Sequence, residues 1–107
     1  MRTELSEIST IHARWLATRQ QAVAENVANA GRADYAAKTA IPFEGFAREF
    51  GPRTVEARDP ARAILPSGNT VDLAREMIEG GEIGRAHSIN AAVTGAFHRM
   101  MLSGAGA

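Results

Sequence analysis

With 107 residues, 45% of them hydrophobic and 22% charged, the chain has room for one domain at most. Twelve Lys+Arg balance twelve Asp+Glu, so no surplus of cations draws it to phosphate backbones or anionic lipid, and nucleic acid drops out as a partner. The chain has no cysteine for a disulfide, a thiolate nucleophile or a sulfur-ligated metal, and no long apolar run for membrane insertion or a cleavable secretory signal.

All four prolines (Pro42, Pro52, Pro60 and Pro66) lie in the middle of the chain. Proline removes a backbone donor and clashes inside a helix, so the chain divides into helix, connection, helix. The division is 1–30 (N-terminal helix), 31–69 (irregular connection) and 70–103 (C-terminal helix), within one elongated unit spanning 1–107. The fold expected is mainly α, with two long terminal helices packed as an elongated hairpin or coiled coil and a largely irregular, proline-containing connection. A helix of about 26 residues reaches about 39 Å, whereas a compact domain of this size has a radius of gyration of about 13 Å.

In the first segment Thr3 is a candidate N-cap, and Glu4 and Glu7 complement the positive end of the helix dipole. At the helical period Leu5, Ile8, Ile11, Trp15, Leu16, Ala22, Val23, Val27 and Ala30 share one arc, a packing face. Ala13, Arg14, Ala17, Ala24 and Ala28 occupy the opposite side, small enough for another backbone to approach. Arg19 and Asn26 fall inside the apolar arc, where an unpaired polar group costs about 1–3 kcal/mol. They are either partly exposed near the helix end or hydrogen-bonded so as to fix helix register. In the middle, Arg48, Arg53, Arg58 and Arg62 alternate with Glu44, Glu49, Glu56 and Asp59 as a balanced, solvated region.

The last segment is expected to start a helix near residue 70, with Asn69 or Thr70 as cap and Asp72 on the dipole. Ala86, Ile89, Val93, Ala96, Phe97 and Met100 recur at spacings of three and four, a seam for another helix, and Gly104 supplies a stop. Gly80, Gly81 and Gly84 each cost about 1 kcal/mol inside a helix, so a kink near 80–84, or two helices, is expected there.

No catalytic, cofactor or metal site is expected. His12, His87 and His98 lack the i, i+3 or i, i+4 pairing of helical metal sites. Glu76, Glu79 and Glu82, flanked by Arg75 and Arg85, read as a solvated charged face. Ser67, Asp72 and His87 form only a nominal triad without a nucleophile elbow, and the glycine cluster has no phosphate-loop spacing.

Ala24-Glu25-Asn26-Val27-Ala28-Asn29, followed by Tyr35, resembles the A-x-N-I-A-N-x-x-T-P-G-Y motif of the flagellar axial family of rod and hook proteins. Arg19-Gln20 matches the Arg-Gln that often precedes it. Downstream, Ser67-Gly68-Asn69-Thr70-Val71-Asp72-Leu73, with Glu76 and Met77, is similar to the S/D-G-N-x-V-D-L-x-x-E-M of a proximal-rod member. Where the family has T-P-G before the tyrosine this chain has Arg32-Ala33-Asp34; Gly31 is then expected to take a left-handed helix stop, and Asp34 to tolerate a similar conformation.

The resemblance implies a noncatalytic structural subunit of the proximal rod of the bacterial flagellar basal body, which transmits torque. Its implied partners are copies of itself, other flagellar rod proteins, and rod-base and flagellar export apparatus proteins. Its implied place is the periplasmic rod, reached by type III export without a cleavable signal peptide. The alternative is a soluble helical adaptor or regulatory hairpin that binds one partner.

Overall fold

A computed structural model of the chain describes residues 4–49, 54–56 and 68–105. Thr3, Arg53, Arg58, Asp59, Arg62, Pro52, Pro60, Pro66 and Ser67 lie outside these residues, as does the side chain of Leu5. The elements run α1 (Glu4–Ala28), β1 (Lys38–Ala40), α2 (Phe43–Glu49), β2 (Thr54–Glu56) and α3 (Leu73–Ala105). The radius of gyration is 17.4 Å and the principal extents are 65 × 25 × 21 Å, the elongated shape that two long helices impose.

The two helices run antiparallel, because advancing along α1 steps back along α3. Ser9 meets Asn90 and Thr94, Arg19 meets Glu79 and Glu82, and Asn26 meets Glu76. Glu76, Ile83 and Asn90 recur every seven residues on the face of α3 toward α1, and Ser9, Leu16 and Val23 do so on α1, the period of a coiled-coil seam. At 33 residues against 25, α3 outruns α1 at the open end of the hairpin.

The buried core lies in the half nearest the connection. Leu16 and Ala22 come from α1, Ala37, Ala40, Ile41 and Phe46 from the connection, and Val71 and Ile83 from the start of the last segment. Beyond Ile83 no described side chain of α3 is buried, and before Leu16 none of α1 is.

The connection carries more regular structure than its sequence suggests. β1 and β2 form an antiparallel ribbon with Lys38 opposite Glu56, Thr39 opposite Val55 and Ala40 opposite Thr54; strands of three residues are too short to leave a period. α2 is tied to α1 through Trp15, whose indole N–H donates to the Ile41 carbonyl at 2.8 Å. The His12, Trp15 and Phe43 rings pack with centroids 5.4–5.7 Å apart.

The boundaries of α3 differ from the expected ones. Asp72, rather than Asn69 or Thr70, caps the helix, its carboxylate accepting from the Arg75 amide at 3.2 Å, because Asn69 and Thr70 hydrogen-bond elsewhere. The chain does not divide into two helices at Gly80, Gly81 and Gly84, and the helix runs past Gly104 to Ala105. Packing of Glu76, Glu79 and Ile83 on α1 spans Gly80 and Gly81, reaches the residue before Gly84, and offsets the poor propensity of the glycines.

Candidate functional site

The two motifs, about forty residues apart in sequence, meet where α1 ends and α3 begins. At their junction is Asn26, in the last turn of α1 and 1% exposed. Its amide donates to the Lys38 carbonyl at 2.8 Å and to Glu76 Oε1 at 3.0 Å. Its oxygen accepts from the Lys38 amide at 2.8 Å and the Tyr35 hydroxyl at 3.4 Å. Two donor and two acceptor positions are all used, which is the condition for burying an amide without penalty.

Asn69, fully buried, performs the same service for the turn that follows α1. Its amide donates to the carbonyls of Asn29 and Arg32, at 2.9 and 2.5 Å, and its oxygen accepts from the Val71 amide at 2.7 Å. Carbonyls of the turn that follows α1 are thus satisfied from the far end of the connection. Asn29 turns its own amide onto the Glu25 carbonyl at 2.7 Å. The Thr70 amide donates to the Tyr35 carbonyl at 3.0 Å, and the Thr70 hydroxyl accepts from the Ala37 amide at 2.9 Å. Together these bonds form a polar clasp that closes the chain from 29 to 69 on itself.

The altered turn has settled on Asp34. Asp34 adopts φ +58°, a left-handed conformation that Asp tolerates better than most residues. Gly31, expected to supply the stop, has no positive φ, and among the described residues the glycine that does is Gly68 at φ +82°. The break therefore sits where the family motif has its glycine.

Glu76 is the clearest departure from the sequence reading. It was expected on a solvated charged face with Glu79 and Glu82, yet it is fully buried against Asn26, while Glu82 keeps a 54% exposed side chain. Arg19, 19% exposed, reaches Glu79 at 3.4 Å and Glu82 at 4.0 Å and lies over the Trp15 ring at 5.0 Å. Gln20, Ala24, Ala28, Leu73 and Met77 of the motifs lie on the surface, outside the clasp.

Of the packing residues read from periodicity, Leu16 is buried and Ile11, Trp15, Val23, Ala96 and Phe97 are half-buried. Ile8, Val27, Ile89, Val93 and Met100 are exposed. The seam expected on α3 thus points largely away from α1. At the open end it borders a groove of about 460 Å³ lined by Ile8, His12, Val93, Phe97, Met101 and Leu102 among others. Among the described residues no group of three or more His, Asp or Glu gathers as for a metal, and no helix is long and apolar enough to cross a membrane. The geometry offers a braced hairpin with an exposed apolar stripe on α3.

No protein-family profile matches the chain. It is 36% identical to the "Flagellar basal body rod protein FlgB" of Agrobacterium fabrum (strain C58 / ATCC 33970), over 92% of this chain and 90% of that protein.

Proposed function

Because the chain belongs to the FlgB family of flagellar basal-body rod proteins, we propose that it is a structural subunit of the proximal rod that assembles through its terminal helices. In this reading the clasp sets the shape of each subunit. The apolar positions of α1 and α3 then bury against copies of the chain and against other rod proteins, and the assembled rod carries torque across the periplasm. Rod-base and export apparatus proteins are its further partners, and the flagellar type III channel is its route. The work is mechanical and needs no catalytic residue.

The observation that carries the reading is the likeness along nearly the whole of both chains, supported by the meeting of both motifs in one buried network. An adaptor hairpin would equally expose an apolar face, but it would bind one partner at fixed stoichiometry. Deleting the gene tests the reading: cells should lose swimming and make basal bodies that lack a rod, and motility should return with the gene. Cells that swim normally after the deletion would contradict it.

A further inference from the structure

The solvent side of α3 carries a short seam that its contact with α1 does not use. At about 100° per residue Ile78, Glu82, Arg85 and Ile89 share an arc about 60° wide, centred about 150° around the helix from Glu76, which is buried against α1. All four are exposed: Ile78 and Ile89 by 65 and 63%, Glu82 with a 54% exposed side chain, and Arg85. Their spacings of four, three and four are those of positions that face a neighbouring helix in a coiled coil. β1 and α2 pack against α1 instead.

The four residues are symmetric in position and opposite in charge. Ile78 and Ile89 stand equally far from the midpoint between Ile83 and Gly84, and so do Glu82 and Arg85. In two copies of α3 laid antiparallel about that point, residues equally far from it come to the same height. Ile78 then meets Ile89 of the partner subunit and Glu82 meets Arg85 of the partner subunit, and the two-fold axis makes each contact twice. A parallel pair in register would instead set Glu82 on Glu82 and Arg85 on Arg85, and like charges in a seam select against that orientation. The rest of α3 agrees: no Asp or Glu follows Glu82, and Arg85 and Arg99 lie beyond it, so an antiparallel pair sets the acidic half of one helix on the basic half of the other.

We propose that this side of α3 binds a second copy of the chain as an antiparallel two-fold pair, with the isoleucines packed on one another and Glu82 against Arg85 between them. The isoleucines supply the apolar contact, and the charged layer fixes orientation and register at some expense of affinity. From Ile78 to Ile89 the seam is about 17 Å long, short of what a standard interface needs, so the pair is weak and depends on concentration. It is also closed, because a two-fold contact uses the same patch on both copies and leaves none for a third. Pairing covers Ile89, so the pair has to open before Ile89 can pack in a rod. That last consequence rests on the reading of Ile89, Val93 and Met100 as an assembly face; the pairing itself does not.

The test is sedimentation equilibrium of the full chain. Its mean mass should rise from one chain at about 1 µM toward two at about 500 µM and stop there; a mass that stays at one chain, or that grows past two, would overturn the pair. Glu82→Arg and Arg85→Glu should each weaken association about tenfold, since each like-charge contact is made twice. Mixed in equal amounts, the two variants set opposite charges at every contact and should associate about as well as the unchanged chain. A mixture no better than either variant alone would overturn the register. A second measurement leaves the charges in place and uses a chain that has no cysteine of its own. Ile78→Cys chains mixed with Ile89→Cys chains and mildly oxidised should give mainly the mixed disulfide, whereas mainly like-with-like disulfides would contradict the antiparallel order. Deletion of the gene decides the rod reading and sedimentation decides the pair, so each can fail alone.

Discussion

Asp34 and Gly68 approach so closely that a Cβ on Gly68 would overlap the Asp34 carboxylate, and both hold a positive φ, +58° and +82°. The turn after α1 and the entry to α3 are thus shaped against each other. Gly68→Ala should lose about 2 kcal/mol in thermal or denaturant unfolding, through left-handed strain plus the overlap. Asp34→Gly should change stability by less than about 1 kcal/mol, since relief of strain is offset by the greater freedom of the unfolded chain. Combined, the two should recover part of the Gly68→Ala loss, because the overlap is gone and only the strain remains. Strict additivity would show that the pair is not coupled.

Asn26→Ala should be among the most damaging single changes to the monomer. It removes the side-chain partner of the Lys38 amide and carbonyl and one partner of the buried Glu76 carboxylate, and a polar group left unsatisfied out of water costs about 1–3 kcal/mol. A loss of about 3 kcal/mol is expected by chemical unfolding. Gln20→Ala, changing an exposed residue of the same motif, should stay within about 0.5 kcal/mol. Equal effects from the two would deny the clasp its role.

Val93→Asp and Phe97→Asp should each prevent incorporation into the rod, whereas His87→Ala and His98→Ala should leave swimming nearly unchanged. Val93 is 52% exposed, so a carboxylate there is tolerated by the monomer and becomes a buried, unpaired charge only on assembly, at a cost of several kcal/mol. Phe97 is half-buried beside the groove, and its variant should also loosen the open end. Secretion of each variant, measured alongside motility, separates an export defect from an assembly defect. Immotile histidine variants together with motile Val93→Asp and Phe97→Asp cells would point to a polar site instead.

The helices and the motif residues were legible in the sequence because each leaves a local trace: a 3.6-residue period, or a short string such as Gly68-Asn69. What those residues do to one another was not. Asn69 reads as a helix cap, since Asn is a good one, but its amide donates to carbonyls thirty-seven and forty residues away. Glu76 reads as one of a solvated row, since nothing in i, i+3 spacing tells which side of a helix is covered. The α3 seam shows the same limit: its period marks an apolar face correctly as a face, while the side turned toward α1 is carried by Glu76, Ile83, Asn90 and Thr94. The hydroxyl and amide groups of Ser9, Asn90 and Thr94, which join the two helices, carry no periodic apolar signal.

The most direct measurement is the content of purified basal bodies from cells that make a tagged, motility-competent version of the chain. The account predicts that the protein co-purifies with the rod in a constant ratio to other rod components and survives washing that removes peripheral proteins. It also predicts that the Val93→Asp form, secreted at normal levels, is absent from the same preparation. A rod that is intact without the protein, or a protein recovered only in the soluble fraction with a single partner, would contradict it.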